Sequence, residues 1–186
     1  IYYRVINAAE ITTMAAPTGL RLGTVRYRYI ATFSALHREH GASALDALHH
    51  LSTIALVRTS DGHFLFGKRA RNGSVDLIGG GVQKDELPVS TGMDIERNLF
   101  KEVREEIGLP SDVIDVMTGI GTLLAGTSNI LLLGLVCTRV SKAEAEALFS
   151  RRKDNEMTDL VTVPEEQLAS FLHAMSDYRR LIPRLL

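Results

Sequence analysis

The chain has 186 residues, 45% of them hydrophobic and 23% charged, with no low-complexity tract; that suits one domain with a normal core. Twenty-one basic residues against 22 acidic ones give a formal charge of −1, which leaves no electrostatic footprint for nucleic acid or a membrane surface. Cys137 is the only cysteine, so an intrachain disulfide and a four-thiolate zinc site are excluded, and a reducing cytoplasm is the compartment expected.

The chain opens on Ile1 without a charged-then-apolar secretory pattern; it lacks an initiating Met, and residues are expected to precede it. Its first twenty residues read as irregular, punctuated by Pro17 and Gly19. From Thr24 to Phe33, Val25, Tyr27 and Tyr29 alternate with Arg26 and Arg28, a strand pattern. Ser34 to Leu48 then reads as a helix with a break near Gly41. Residues 1–50 are thus an N-terminal extension, strand plus helix, ahead of a main domain at 51–186.

That domain starts with a hairpin. Ser52–Arg58 and His63–Lys68 are apolar, β-rich runs joined through Asp61-Gly62, a strong turn signal. A glycine loop follows at Ile78-Gly79-Gly80-Gly81, then a helix from about Thr91 to Ile107, with Thr91 and Asp94 as a capping-box pair. Strands are expected near Val113–Leu123 and Asn129–Arg139. The apolar run from Ile120 to Cys137 is broken by Gly121, Gly126, Ser128 and Asn129, so it reads as two buried strands and a turn, not a membrane span. Cys137 there is a buried structural thiol. Ser141 caps a helix to Ser150, Leu160–Val163 is a short strand, and Pro164 takes the first position of a last helix. The alternation of strands and helices argues for a mixed sheet sandwiched by helices.

The helix ending at Gly108 carries Glu102, Glu105 and Glu106. Residues three and four apart are neighbours on a helix surface, and like charges there destabilise it. A divalent cation explains the arrangement, because hard cations prefer carboxylate oxygen. At about 100° per residue, Ile95, Leu99, Val103 and Ile107 form an apolar stripe, and the three glutamates fall beside it. A purely solvated acidic face would point away from the core; these acids border it.

Gly80, five residues, Glu86, and then Lys101-Glu102-Val103-Arg104-Glu105-Glu106-Ile107-Gly108-Leu109 resemble the Nudix box, G-x5-E-x7-R-E-U-x-E-E-x-G-U. The hairpin ending in Gly67-Lys68-Arg69, the Asp76-to-Gly80 approach, and the later Asn155-Glu156, Leu160–Pro164 and Glu166 extend the resemblance over about Ser52 to Met175. Two departures stand out. Fourteen residues separate Glu86 from Lys101, where the pattern allows seven; the surplus, with Pro88 and Gly92, reads as a loop inserted before the helix. Lys101 replaces the box arginine, keeping its charge but losing the planar fork.

The resemblance implies an α/β/α sandwich with a mixed sheet. It also implies hydrolysis of a diphosphate linkage in a nucleoside diphosphate derivative, such as a nucleoside diphosphate sugar or an ADP-ribose-like compound, with Mg²⁺ or Mn²⁺. Carried over by position, Glu102 and Glu106 are the chief metal ligands, Glu105 is a further ligand or positions water, and the Gly80 carbonyl assists. Glu86 pairs with Lys101. Glu156 is either a late-loop ligand or base, or a surface acid. Lys68, Arg69 and Arg71 are candidates to clamp phosphate, beside the Gly79 and Gly81 backbone. His37, His40, His49 and His50 have no metal-ligand spacing and take surface or helix-end roles; Arg151-Arg152-Lys153 is a solvated loop. The extension is expected to supply base recognition or a homodimer contact. The rival reading is a catalytically impaired module that binds a nucleotide.

Overall fold

A computed structural model describes residues 2–5, 22–26, 28–30, 32, 35, 39, 49–84, 92–125, 129–175 and 178–184. The strands are β1 (Tyr2–Val5), β2 (Leu22–Val25), β3 (His49–Arg58), β4 (His63–Arg69), β5 (Val75–Asp76), β6 (Ile78–Gly81), β7 (Ile114–Ala125), β8 (Asn129–Thr138) and β9 (Met157–Pro164). The helices are α1 (Gly92–Ile107), α2 (Lys142–Arg151) and α3 (Leu168–His173). No helix among the described residues is long and apolar enough to cross a membrane.

β3 organises the sheet because it is apolar on both faces, the signature of a strand covered by helices on both sides. It runs parallel to β8 along its length and antiparallel to β6 and β4 on its other edge. Alternation then sorts its side chains. Ala55 and Val57 join Leu99, Val103 and Ile107 of α1 and Phe149 of α2 in one core; Ile54 and Leu56 join Leu168 and Leu172 of α3 and Ile182 in the other. Gly134 lets α1 come close, since a Cβ there would stand 2.6 Å from Leu99 Cδ2. The architecture is the expected helix–sheet–helix sandwich.

Several elements differ from their sequence reading. Tyr2–Val5 is a strand, not irregular chain, hydrogen-bonded to both β2 and β3. The strand expected from Thr24 to Phe33 ends at Val25, and residues 28–30 are helical. Val25 pairs with Tyr2, and the Arg28 guanidinium stacks on the Tyr29 ring. Most of the helix expected at Ser34–Leu48, and the Thr91–Asp94 cap, lie outside the described residues. The glycine loop is itself strand β6, paired with β3. β9 runs from Met157, well before Leu160, and Pro164 ends it by capping a 3₁₀ turn at Glu165–Gln167 rather than opening a helix. Arg152 is no solvated loop residue: its guanidinium stacks 3.4 Å over the Phe149 ring and donates to the Phe149 and Met157 carbonyls. Cys137 is half-buried within β8.

Candidate functional site

α1 begins at Gly92, so Gly92 belongs to the helix and not, as expected, to an inserted loop; Glu86 and Pro88 lie outside the described residues. The last two turns present the three glutamates at graded depth. The side chain of Glu106 is 4% exposed, that of Glu102 12% and that of Glu105 43%. Gly108, with φ +77°, stops the helix by returning its N–H to the Arg104 carbonyl.

Two acids lean on the glycine strand. Glu106 Oε2 accepts the Gly79 N–H at 2.8 Å. A Cβ on Gly80 would stand 2.6 Å from Glu102 Oε2, so only glycine leaves that carboxylate its place against the strand. Gly79 has φ +154°, and a Cβ there would run into Thr53 O and stand 2.8 Å from Ile54 Cα; glycine is required by conformation and by space. Gly81 supports the N-terminal strand instead, with the Tyr2 ring against its Cα.

Arg69 is the hub. Its Nη1 donates to Glu106 Oε1 at 2.6 Å and lies 3.4 Å from Glu156 Oε2; its Nη2 reaches the Gly79 carbonyl at 3.4 Å. A register shift between Lys68 and Arg69 in the β4–β9 ladder marks this position, and such bulges re-aim side chains. On the outer side of the helix, Lys101 Nζ lies 3.7 Å from both Glu102 Oε1 and Glu105 Oε2, and Arg104 Nη2 lies 3.7 Å from Glu105 Oε1. Burial pushes the Glu106 carboxyl up to about 7, although the Arg69 charge and the Gly79 N–H pull it down and Glu102 adds repulsion.

A cavity of about 550 Å³ adjoins this cluster, lined by His50, Arg69, Arg71, Asp76, Gly81 and Glu156. Arg69 is thus shared between the acidic helix and the cavity, and Glu156 meets it from the cavity wall. His50 is the second residue of β3, not at a helix end, and it lines the cavity. Asp76 and Arg179 were not singled out by the sequence. Asp76 lies 3.8 Å from Arg69 Nε, and Arg179 reaches Asp76 Oδ1 at 3.4 Å from the C-terminal 3₁₀ segment. No spacing links Arg179 to Asp76, so the sequence carries no signal for that contact.

The donors Glu102, Glu105, Glu106 and the glycine-strand carbonyls are all oxygen, the chemistry a hard divalent cation takes. Among the described residues, no three acids, histidines or cysteines are gathered as a ready cation site. Lys101 and Arg69 stand between the acids and hold part of their charge. The donor chemistry fits a divalent ion.

No protein-family model and no curated protein matches the sequence. Solved structures do. Tm1382, provisionally assigned as a Nudix hydrolase, aligns over 99% of this chain and 96% of its own at 14% identity, with a TM-score of 0.60. The MutT protein of Methanosarcina mazei aligns over 74% and 93% at 22% identity and 0.51. The NUDIX domain of Shewanella oneidensis NrtR, solved with ADP ribose, aligns over 80% and 92% at 13% identity and 0.51. The chain therefore has the Nudix fold.

Proposed function

We propose that the protein hydrolyses a diphosphate linkage in a nucleoside diphosphate derivative, with Mg²⁺ or Mn²⁺ held by Glu102 and Glu106 and assisted by Glu105 and the Gly80 carbonyl. The observation that carries this reading is the approach of two glutamates from one helix to two successive glycines, Glu106 hydrogen-bonded to Gly79 and Glu102 against Gly80. Bound there, a divalent ion supplies charge neutralisation for the diphosphate and lowers the pKa of water. The chain's own part is to hold those oxygens fixed against a rigid strand and to keep cationic side chains at the cavity wall. Arg69 and Arg71 line the cavity, and their guanidinium forks suit phosphate oxygens. Glu105 and Glu156, the more exposed acids, are the candidates to take a proton from attacking water. ADP-ribose is the first substrate to try, because the NrtR Nudix domain binds it.

A nucleotide-binding module without turnover is the second reading, and the ion pairs of Lys101 with Glu102 and Glu105 favour it. Phosphate-product release from a panel of nucleoside diphosphate derivatives with Mg²⁺ or Mn²⁺ separates the two. Glu102→Gln and Glu106→Gln are expected to lose about 100-fold or more of the wild-type rate, the scale of such groups. Background turnover in all three proteins would sink the hydrolase reading, and thermal stabilisation by a nucleotide would then support the module.

A further inference from the structure

Arg69 engages four groups at once. Besides Glu106 and Glu156 it reaches the Gly79 carbonyl and lies beside Asp76. Both oxygens of Glu106 are therefore engaged: Oε2 accepts from Gly79 N and Oε1 from the guanidinium at 2.6 Å. A divalent ion on that carboxylate would need oxygen lone pairs facing the cluster and would stand within a few ångströms of a positive charge. Repulsion at that range in a poorly solvated site is strong, so the two cations compete for the carboxylate.

Arg69 has somewhere to go. It already lines the 550 Å³ cavity, beside Arg71 and His50, and Glu156 and Asp76 flank it on the cavity wall. We infer that Arg69 is an exchangeable counterion: a divalent cation displaces its guanidinium from Glu106, and the freed fork turns into the cavity to take oxygens of the substrate diphosphate. This rests on the proposed function. It makes cation and substrate binding cooperative, since the cation releases the group that the substrate needs, and the effect is reciprocal.

The test is Mn²⁺ affinity, read by electron paramagnetic resonance of the free ion at pH 8.5, where protons compete least for carboxylates. It is paired with the affinity for the α,β-methylene analogue of ADP-ribose. Arg69→Gln is expected to bind Mn²⁺ about fivefold or more tightly than wild type. Wild type should bind the analogue more tightly by a similar factor when Mn²⁺ is present, at the low end of typical coupling, and Arg69→Gln should lose that coupling. Equal Mn²⁺ affinity in wild type and Arg69→Gln, with Glu106→Gln weaker than both, overturns the exchange and leaves the cation site standing. No Mn²⁺ binding to wild type removes the proposed function and the exchange together. Should Arg69→Gln not fold, the wild type still decides. Its Arg69 side-chain N–H resonance, assigned through Arg69→Lys, is expected to move on Mg²⁺ saturation, and an unmoved resonance overturns the exchange.

Discussion

Gly79 and Gly80 are adjacent, and a methyl group on each would do different damage. At Gly79 the new Cβ meets backbone, Thr53 O and Ile54 Cα, at a φ of +154°, and backbone cannot step aside. Gly79→Ala is expected to cost about 2–5 kcal/mol, combining conformational strain with overpacking. At Gly80 the obstacle is the carboxylate end of Glu102, which can swing away. Gly80→Ala should cost less than about 1 kcal/mol, the range of substitutions the structure absorbs, yet weaken Mn²⁺ binding by moving Glu102. Urea denaturation and Mn²⁺ titration of both variants read the two effects separately. A stability loss at Gly80→Ala as large as at Gly79→Ala would show that Glu102 is not free to swing. The three glutamates were legible in sequence because helical spacing alone brings them together. The Arg69–Glu106 pair was not, because it joins residues 37 apart through a strand whose register shifts at that point.

The element that holds α1 from behind is α2, whose Ala145 and Phe149 share a core with Val103 and Ile107. Its start is fixed by a complete capping box: Ser141 Oγ accepts the Glu144 N–H, and Glu144 Oε2 accepts the Ser141 N–H at 2.7 Å. Ser141→Ala removes one of those bonds and should cost about 1 kcal/mol, or about 2–4 °C in Tm for a domain of this size. Because α2 carries no site residue, hydrolysis at 25 °C should be unchanged; a fall in rate without a fall in Tm would mean that α2 sets the geometry of α1. Ser141 and its helix were legible because a cap is a local device. β6 was not, since three glycines have no strand propensity; their ladder exists because β3 offers an edge to pair with, and at Gly79 the approach to β3 leaves no room for a Cβ. β1 and the early end of β2 escaped for a similar reason, their pairing being set by each other and by His49–His50 rather than by their own alternation.

At the scale of the whole molecule, the sandwich packs the last turn of α1 into the core on one face of the sheet and thereby buries the Glu106 carboxyl. The fold follows from sequence periodicity, but that burial does not, because it depends on how closely α1 packs on the β6 strand. It has a consequence for stability. In the unfolded chain this carboxyl titrates near 4.5, and in the folded protein near 7. Between those values the folded state holds the proton more often than the unfolded state, so stability falls as pH rises through the window. The cost is absent below about pH 4.5 and complete above about pH 7. At about 1.4 kcal/mol per pKa unit, it reaches roughly 3 kcal/mol in the cation-free protein. Glu106→Gln has no such proton to lose, so the stability of wild type minus that of the variant, in EDTA, should decline by about that amount from pH 4.5 to 7.5. A ligated cation favours the ionised form, so 10 mM Mg²⁺ should flatten the decline. Denaturant melts across this pH range, with and without Mg²⁺, check both; parallel curves for wild type and Glu106→Gln in EDTA would mean that the carboxyl titrates at its ordinary value, and that packing around α1 is looser than its burial indicates.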